Sequence, residues 1–97
     1  MKFIWDLQKD KTNKQKHKVS FNQASYIFAD KYALTIYDSK HSEDEERWIT
    51  LGAANNNVIL VVVHTYREQD GIEYIRIISA RKATKNEKKQ YMERRGV

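Results

Sequence analysis

Val58-Ile59-Leu60-Val61-Val62-Val63-His64-Thr65-Tyr66 and, after the polar loop Arg67–Gly71, Ile72-Glu73-Tyr74-Ile75-Arg76-Ile77-Ile78-Ser79-Ala80-Arg81 decide the fold. The first stretch is apolar at successive positions, so it reads as a central strand covered on both faces. The second forms a hairpin with it. Upstream, Arg47-Trp48-Ile49-Thr50-Leu51-Gly52 reads as a neighbouring strand, joined through Asn55-Asn56-Asn57, a turn that tolerates left-handed backbone. Ala33-Leu34-Thr35-Ile36-Tyr37 adds a fourth strand before the polar loop His41–Glu45. Helix signals flank this meander. Asp6 caps a helix over Leu7–His17, Ser20 with Gln23 opens one over Phe21–Ala29, and Thr84 with Glu87 opens one over Lys85–Arg95. Phe3-Ile4-Trp5 is a short starting strand or an apolar anchor. The expected fold is α+β: two N-terminal helices, a four-stranded antiparallel sheet and a C-terminal helix, in one domain spanning residues 1–97.

Composition narrows the classes of function. The chain has 97 residues, room for one core, and 40% of them are apolar, too many for a disordered tail. The longest apolar run, Val58–Val63, is six residues, too short for a membrane span, and Asp6 interrupts any signal-peptide stretch. With no cysteine, disulfides, thiolate metal sites and cysteine nucleophiles are excluded, and a cytoplasmic location is expected. The net charge of +5 is unevenly spread: residues 1–20 carry +4, residues 38–46 carry −4 and residues 81–97 carry +5. Two basic ends suggest an anionic partner, nucleic acid first, although the same charges also suit solvated helix faces.

Strand parity assigns the side chains to faces. A hairpin about Gln69 pairs His64 with Tyr74 and Val62 with Arg76, and one about Asn55 pairs Glu46 with His64. One face then holds Ile49, Leu51, Ile59, Val61, Val63, Ile75 and Ile77, extended by Leu34 and Ile36, and is the side expected under helices. The other holds Glu46, Trp48, Thr50, Leu60, Val62, His64, Tyr66, Tyr74, Arg76 and Ile78. A carboxylate, an imidazole, a guanidinium and three aromatic rings there suit RNA cleavage without a metal. His64 is the candidate acid or base, Arg76 the phosphate ligand, and Glu46 a base or the group that orients His64. Trp48 and Tyr74 offer stacking planes, while Arg67, Arg81 and Lys82 extend an electrostatic track. The structural alternative is a half-covered face with Arg76 paired to Glu46. His17, His41 and His64 lack the short spacing of a metal site, and no glycine-rich phosphate loop is present.

The ordered blocks Phe3-Ile4-Trp5-Asp6, His17-Lys18-Val19-Ser20-Phe21, Ala33–Asp38, His41-Ser42-Glu43, Glu46–Gly52, Val61–Thr65 and Ile75–Thr84, with Glu87 and Tyr91, run over essentially the whole chain. Together they resemble the BrnT family of bacterial toxins, which is similar in fold to the RelE-like ribonucleases. The resemblance implies a metal-independent ribonuclease toxin of a type II toxin–antitoxin pair that inhibits translation and uses no cofactor. It also implies a ribbon-helix-helix antitoxin (BrnA-like) as neutralising partner, with DNA contacted only through their complex and no membrane involved. His64, Arg76 and Arg81 lie inside matching motifs. Lys18 stands where the family usually has Gly, and a left-handed residue there costs about 1 kcal/mol with a side chain. Two rival readings use the same residues: a non-catalytic RNA- or ribosome-binding module, and a surface that chiefly binds an acidic antitoxin segment.

Overall fold

The computed structural model describes residues 1–96. In chain order the elements are β1 (Lys2–Ile4), α1 (Leu7–His17), α2 (Phe21–Ser25) with a 3-10 turn (Tyr26–Ala29), β2 (Leu34–Tyr37), β3 (Trp48–Ala53), β4 (Ile59–Gln69), β5 (Ile72–Lys82) and α3 (Lys85–Arg95). The strands form one sheet in the order β1-β5-β4-β3-β2. The α+β class and the antiparallel meander of β2 to β5 are as expected. Phe3 resolves as a strand residue, and the sheet gains a fifth member, because β1 pairs parallel to β5 with Phe3 opposite Ile75. No helix among the described residues is long and apolar enough to cross a membrane.

The β4–β5 hairpin departs from the expected register. Its turn is the dipeptide Asp70-Gly71, both in the left-handed region (φ 53° and 78°), so Gln69 pairs with Ile72 and the strands run longer than a loop over Arg67–Gly71 allows. Such a turn suits Asn or Asp followed by Gly and matches the strand twist. His64 therefore pairs with Ile77 and Thr65 with Arg76, whereas Val63 pairs with Ser79; Ile78 is the extra residue of a bulge. Relative to the expected pairing of His64 with Tyr74, β5 is displaced by three residues. An odd displacement turns every side chain between Ile72 and Ile77 to the other face. The β3–β4 register differs by two (Trp48 opposite His64), which keeps parity.

Both faces are consequently covered, in different places. On one, Val19 from the link after α1, Phe21 and Ala24 of α2 and Ile27 of the 3-10 turn bury Leu60, Val62, Ile75, Ile77 and Ala80. On the other, Tyr91 of α3 closes over Leu51, Ile59 and Val61. The Tyr91 hydroxyl donates to Asp30 at 2.6 Å, and the same carboxylate accepts from the Ala53 and Tyr32 amides, which fastens α3 to one end of the sheet. Burial and the Asp30 hydrogen bond push the Tyr91 hydroxyl up to about 12. Gly52 makes room for the 3-10 turn, since a Cβ there would lie 3.1 Å from the Ile27 Cβ.

β1 reaches only Tyr74 to Arg76, so the rest of β5 has a free edge. Asn13 of α1, buried in a helix that is otherwise polar, seals it at Ala80. Its amide donates to the Ala80 carbonyl (2.8 Å) and the Val19 carbonyl (2.9 Å) and accepts from the Ala80 N–H (3.1 Å), taking the place of a strand neighbour. Lys18, next along, ends α1 in the left-handed conformation (φ 60°), its N–H donating to the Lys14 carbonyl. Replacing Asn13 by Leu strands three buried backbone groups, and a loss of about 2–4 kcal/mol is expected in urea denaturation; an unchanged midpoint would show that the seal is not structural. Lys18→Gly relieves the backbone strain and should raise stability by about 0.5–1 kcal/mol in the same assay.

Candidate active site

The face that carries α3 is left open beyond it. There the register aligns Tyr74, Arg76, Ser79 and Arg81 of β5 with Arg67, Thr65, Val63 and Val61 of β4. A folded loop between β2 and β3 projects over these residues. Its neck is closed by the Asp38 N–H donating to the Arg47 carbonyl (2.9 Å), and its interior is organised on Asp38, whose carboxylate meets His41 Nδ1 at 3.0 Å and the Lys40 N–H at 3.2 Å. Ser42 ties the two sides by donating to the Asp38 carbonyl and accepting from the Arg47 N–H.

This loop delivers Glu45 to the arginines. One carboxylate oxygen accepts from Arg76 Nη1 at 3.0 Å and the other from Arg67 Nη2 at 3.3 Å, so a single carboxylate bridges two guanidinium groups from adjacent strands. Beside it, Thr65 is 2% exposed and its hydroxyl has no hydrogen-bond partner among the described residues. An open hollow of about 550 Å³, lined by Lys40, Glu45, Arg47 and Arg67 among others, leads to the bridge. Farther along β5, Arg81 is held by Glu87 through two bonds of 2.8 and 2.9 Å. Glu87 also completes the cap of α3 by accepting from the Thr84 N–H, and Arg81 holds its carboxyl down to about 2.

The expected constellation divides between the faces. Arg67, Tyr74, Arg76 and Arg81 share the open face. His64 and Trp48 lie on the opposite one, and Lys82, paired with Leu60, ends β5 on that side too. The expected centre of His64, Arg76 and Glu46 is thus not assembled, because the tight Asp70-Gly71 turn reverses the parity of Tyr74 and Arg76. His64 is fully buried (0% exposed). Its Nε2 is hydrogen-bonded to the Thr50 hydroxyl at 2.7 Å, Thr50 continues to Thr35 at 2.7 Å, and the ring is flanked edge-on by Phe28 and Tyr66. Burial lowers its pKa from the ordinary 6.5 to about 4, so the imidazole is neutral at pH 7. Trp48 joins an aromatic row with Tyr37 and Tyr66. Glu46 is exposed, and its neighbour Glu45 makes the arginine contact expected of Glu46. Among the described residues no group of three or more His, Asp or Glu side chains is placed to hold a metal ion.

Helices on both faces of a largely antiparallel sheet form a RelE-like toxin arrangement. The chain belongs to the family described as "Ribonuclease toxin, BrnT, of type II toxin-antitoxin system", whose model matches residues 5–87. It is similar to the Brucella abortus ribonuclease toxin BrnT, solved crystallographically at 1.1 Å, with 28% identity and a TM-score of 0.64 over 88% of this chain and 99% of that one. No curated protein matches the chain.

Burial of His64 has a consequence for stability. Its folded pKa lies below the unfolded one, so between about pH 6.5 and 4 the unfolded chain binds the extra proton and stability falls as pH falls. Urea unfolding should show a loss of about 2 kcal/mol from pH 7 to pH 5. His64→Gln, which cannot titrate, should flatten that dependence; an equally steep slope in the variant would assign it to other groups.

Proposed function

We propose that this chain is the RNA-cleaving toxin of a type II toxin–antitoxin pair, acting without a metal on the open sheet face. The observation that carries this reading is the Glu45 carboxylate held between Arg67 and Arg76. RNA transesterification needs a base for the 2′-hydroxyl proton and fixed positive charge where the phosphate becomes more anionic. In this proposal Glu45 takes the 2′-hydroxyl proton as that oxygen bonds to phosphorus, and the bond from phosphorus to the 5′-oxygen breaks. The departing 5′-oxygen is protonated by the carboxyl so formed or by solvent, while Arg76, with Arg67, receives the phosphate oxygens through the forked geometry of guanidinium. Tyr74, the cross-strand neighbour of Arg67, offers a ring against which an unpaired base can stack. Arg81 and the exposed Lys82 supply charge toward the far end of β5. Release of the toxin would inhibit translation in the cytoplasm, and a ribbon-helix-helix antitoxin would neutralise it, bringing DNA into contact only through their complex.

The test is incubation of purified protein with RNA in excess EDTA. Cleavage should persist, fall about 10²–10⁴-fold in Glu45→Gln, and fall severely in Arg76→Ala, whereas folded His64→Gln should cleave as the parent does. RNA bound but uncleaved by the parent protein would support the binding-module reading. Cleavage lost in His64→Gln with its fold intact would return the imidazole to the chemistry.

A further inference from the structure

We infer that the groove between α1 and the free edge of β5 is a second RNA-binding surface, which holds the phosphate backbone flanking the cleavage site. This inference rests on the reading of the open face as an RNA site. The groove measures about 470 Å³ and is lined by Lys9, Thr12, Lys16 and His17 from α1 and by Ile78 and Ser79 from β5. Asp6 also lines it, but its carboxylate is committed to capping α1, accepting from the Lys9 N–H at 2.9 Å. Asp10, the other acid of this segment, accepts from the Phe21 N–H at 2.8 Å. Lys9 and Lys16 are exposed, and no lysine of α1 forms an ion pair among the described residues. The charge of residues 1–20 is therefore concentrated on a helix whose two neighbouring carboxylates both serve the backbone.

Position makes the groove a continuation of the site. Ser79 stands opposite Val63, between Arg76 opposite Thr65 and Arg81 opposite Val61, so it belongs both to the open face and to the groove wall. The bulge at Ile78 is where β5 turns its edge to α1. A phosphate backbone leaving Arg76 can pass Ser79, round that edge and meet Lys16 and Lys9 on the far side. Such a path bends around the rim of a sheet, which suits a flexible single strand and not a stiff duplex.

The experiment compares Lys9→Glu/Lys16→Glu with Lys11→Glu/Lys14→Glu, which makes the same charge change on exposed positions of α1 outside the groove. Binding and cleavage are measured on a long single-stranded RNA and on a trinucleotide, as a function of salt. The groove variant should bind the long RNA several-fold more weakly, with a salt dependence shallower by about 0.7 for each phosphate that is no longer neutralised. Its kcat and its cleavage of the trinucleotide should be unchanged. Equal losses in both variants would show that net charge alone acts, and unchanged affinity in the groove variant would show that RNA does not enter; either overturns the inference. Absence of cleavage by the parent protein would instead refute the catalytic reading, while the binding comparison would still report on the groove.

Discussion

The two-residue turn at Asp70-Gly71 and the bulge at Ile78 are the constraint on which the open face depends. Side chains of a strand alternate, so the register of β5 against β4 decides whether Arg76 shares a face with His64 or with Arg67. The turn places Arg76 with Arg67. The bulge then resets parity, so that Ser79 and Arg81 stay on the side of Arg76, whereas Ala80 returns to the core. Without that extra residue Arg81 would face the helices and Ala80 the solvent. The bulge thus keeps both arginines of β5 on one surface across an eleven-residue strand.

The two helical layers are unequal, and that inequality leaves the face open. The N-terminal layer spans β5 to β3 and closes the His64 side. On the other face a single helix is anchored at one end by Tyr91 and Asp30 and by Arg94 donating to the Tyr32 carbonyl. It protects Leu51, Ile59 and Val61; beyond it the loop that carries Glu45 lies over the Arg76 end, and Leu34 and Ile36 at the β2 edge are exposed. Burying His64 as a neutral ring, bonded through Nε2 to Thr50 and with Nδ1 without a partner among the described residues, costs less than burying Arg76 equally deeply without its carboxylate would.

Much of this was legible from residue patterns. The helix starts at Asp6, Ser20 and Thr84 were marked by their caps, and the strands by apolar runs bounded by polar loops. The β3–β4 pairing kept its parity because a two-residue error is harmless there. The β5 assignment failed because Asp-Gly closes a tighter turn than a loop over Arg67–Gly71, and because a bulge has no composition of its own. Strand β1 pairs with a segment some seventy residues away, a contact that local periodicity does not encode. Asn13 looked like any polar residue of a polar helix. Glu45 lies in an aperiodic loop, so nothing in the run Glu43-Asp44-Glu45-Glu46 singled out which carboxylate would reach the arginines. The Asp-Gly dipeptide was the one available signal that would have put Arg76 and Arg67 together.

The two arginine–carboxylate contacts on the open face differ in what they permit. Glu45 and Arg76 are partly solvated, and Glu45 belongs to a loop held mainly by its own side chains. A pair of this kind contributes about 0–1 kcal/mol, so a phosphate can share or displace the carboxylate at little cost. Glu87 is fastened from two sides, by the bidentate Arg81 and by the Thr84 amide at the start of α3. Drawing Arg81 to a phosphate would break both of its bonds to the carboxylate that caps α3, whereas drawing Arg76 to one disturbs only the loop. Arg76 and Arg67 are therefore the exchangeable cations of this face, and Arg81 is the fixed one that joins the sheet to α3.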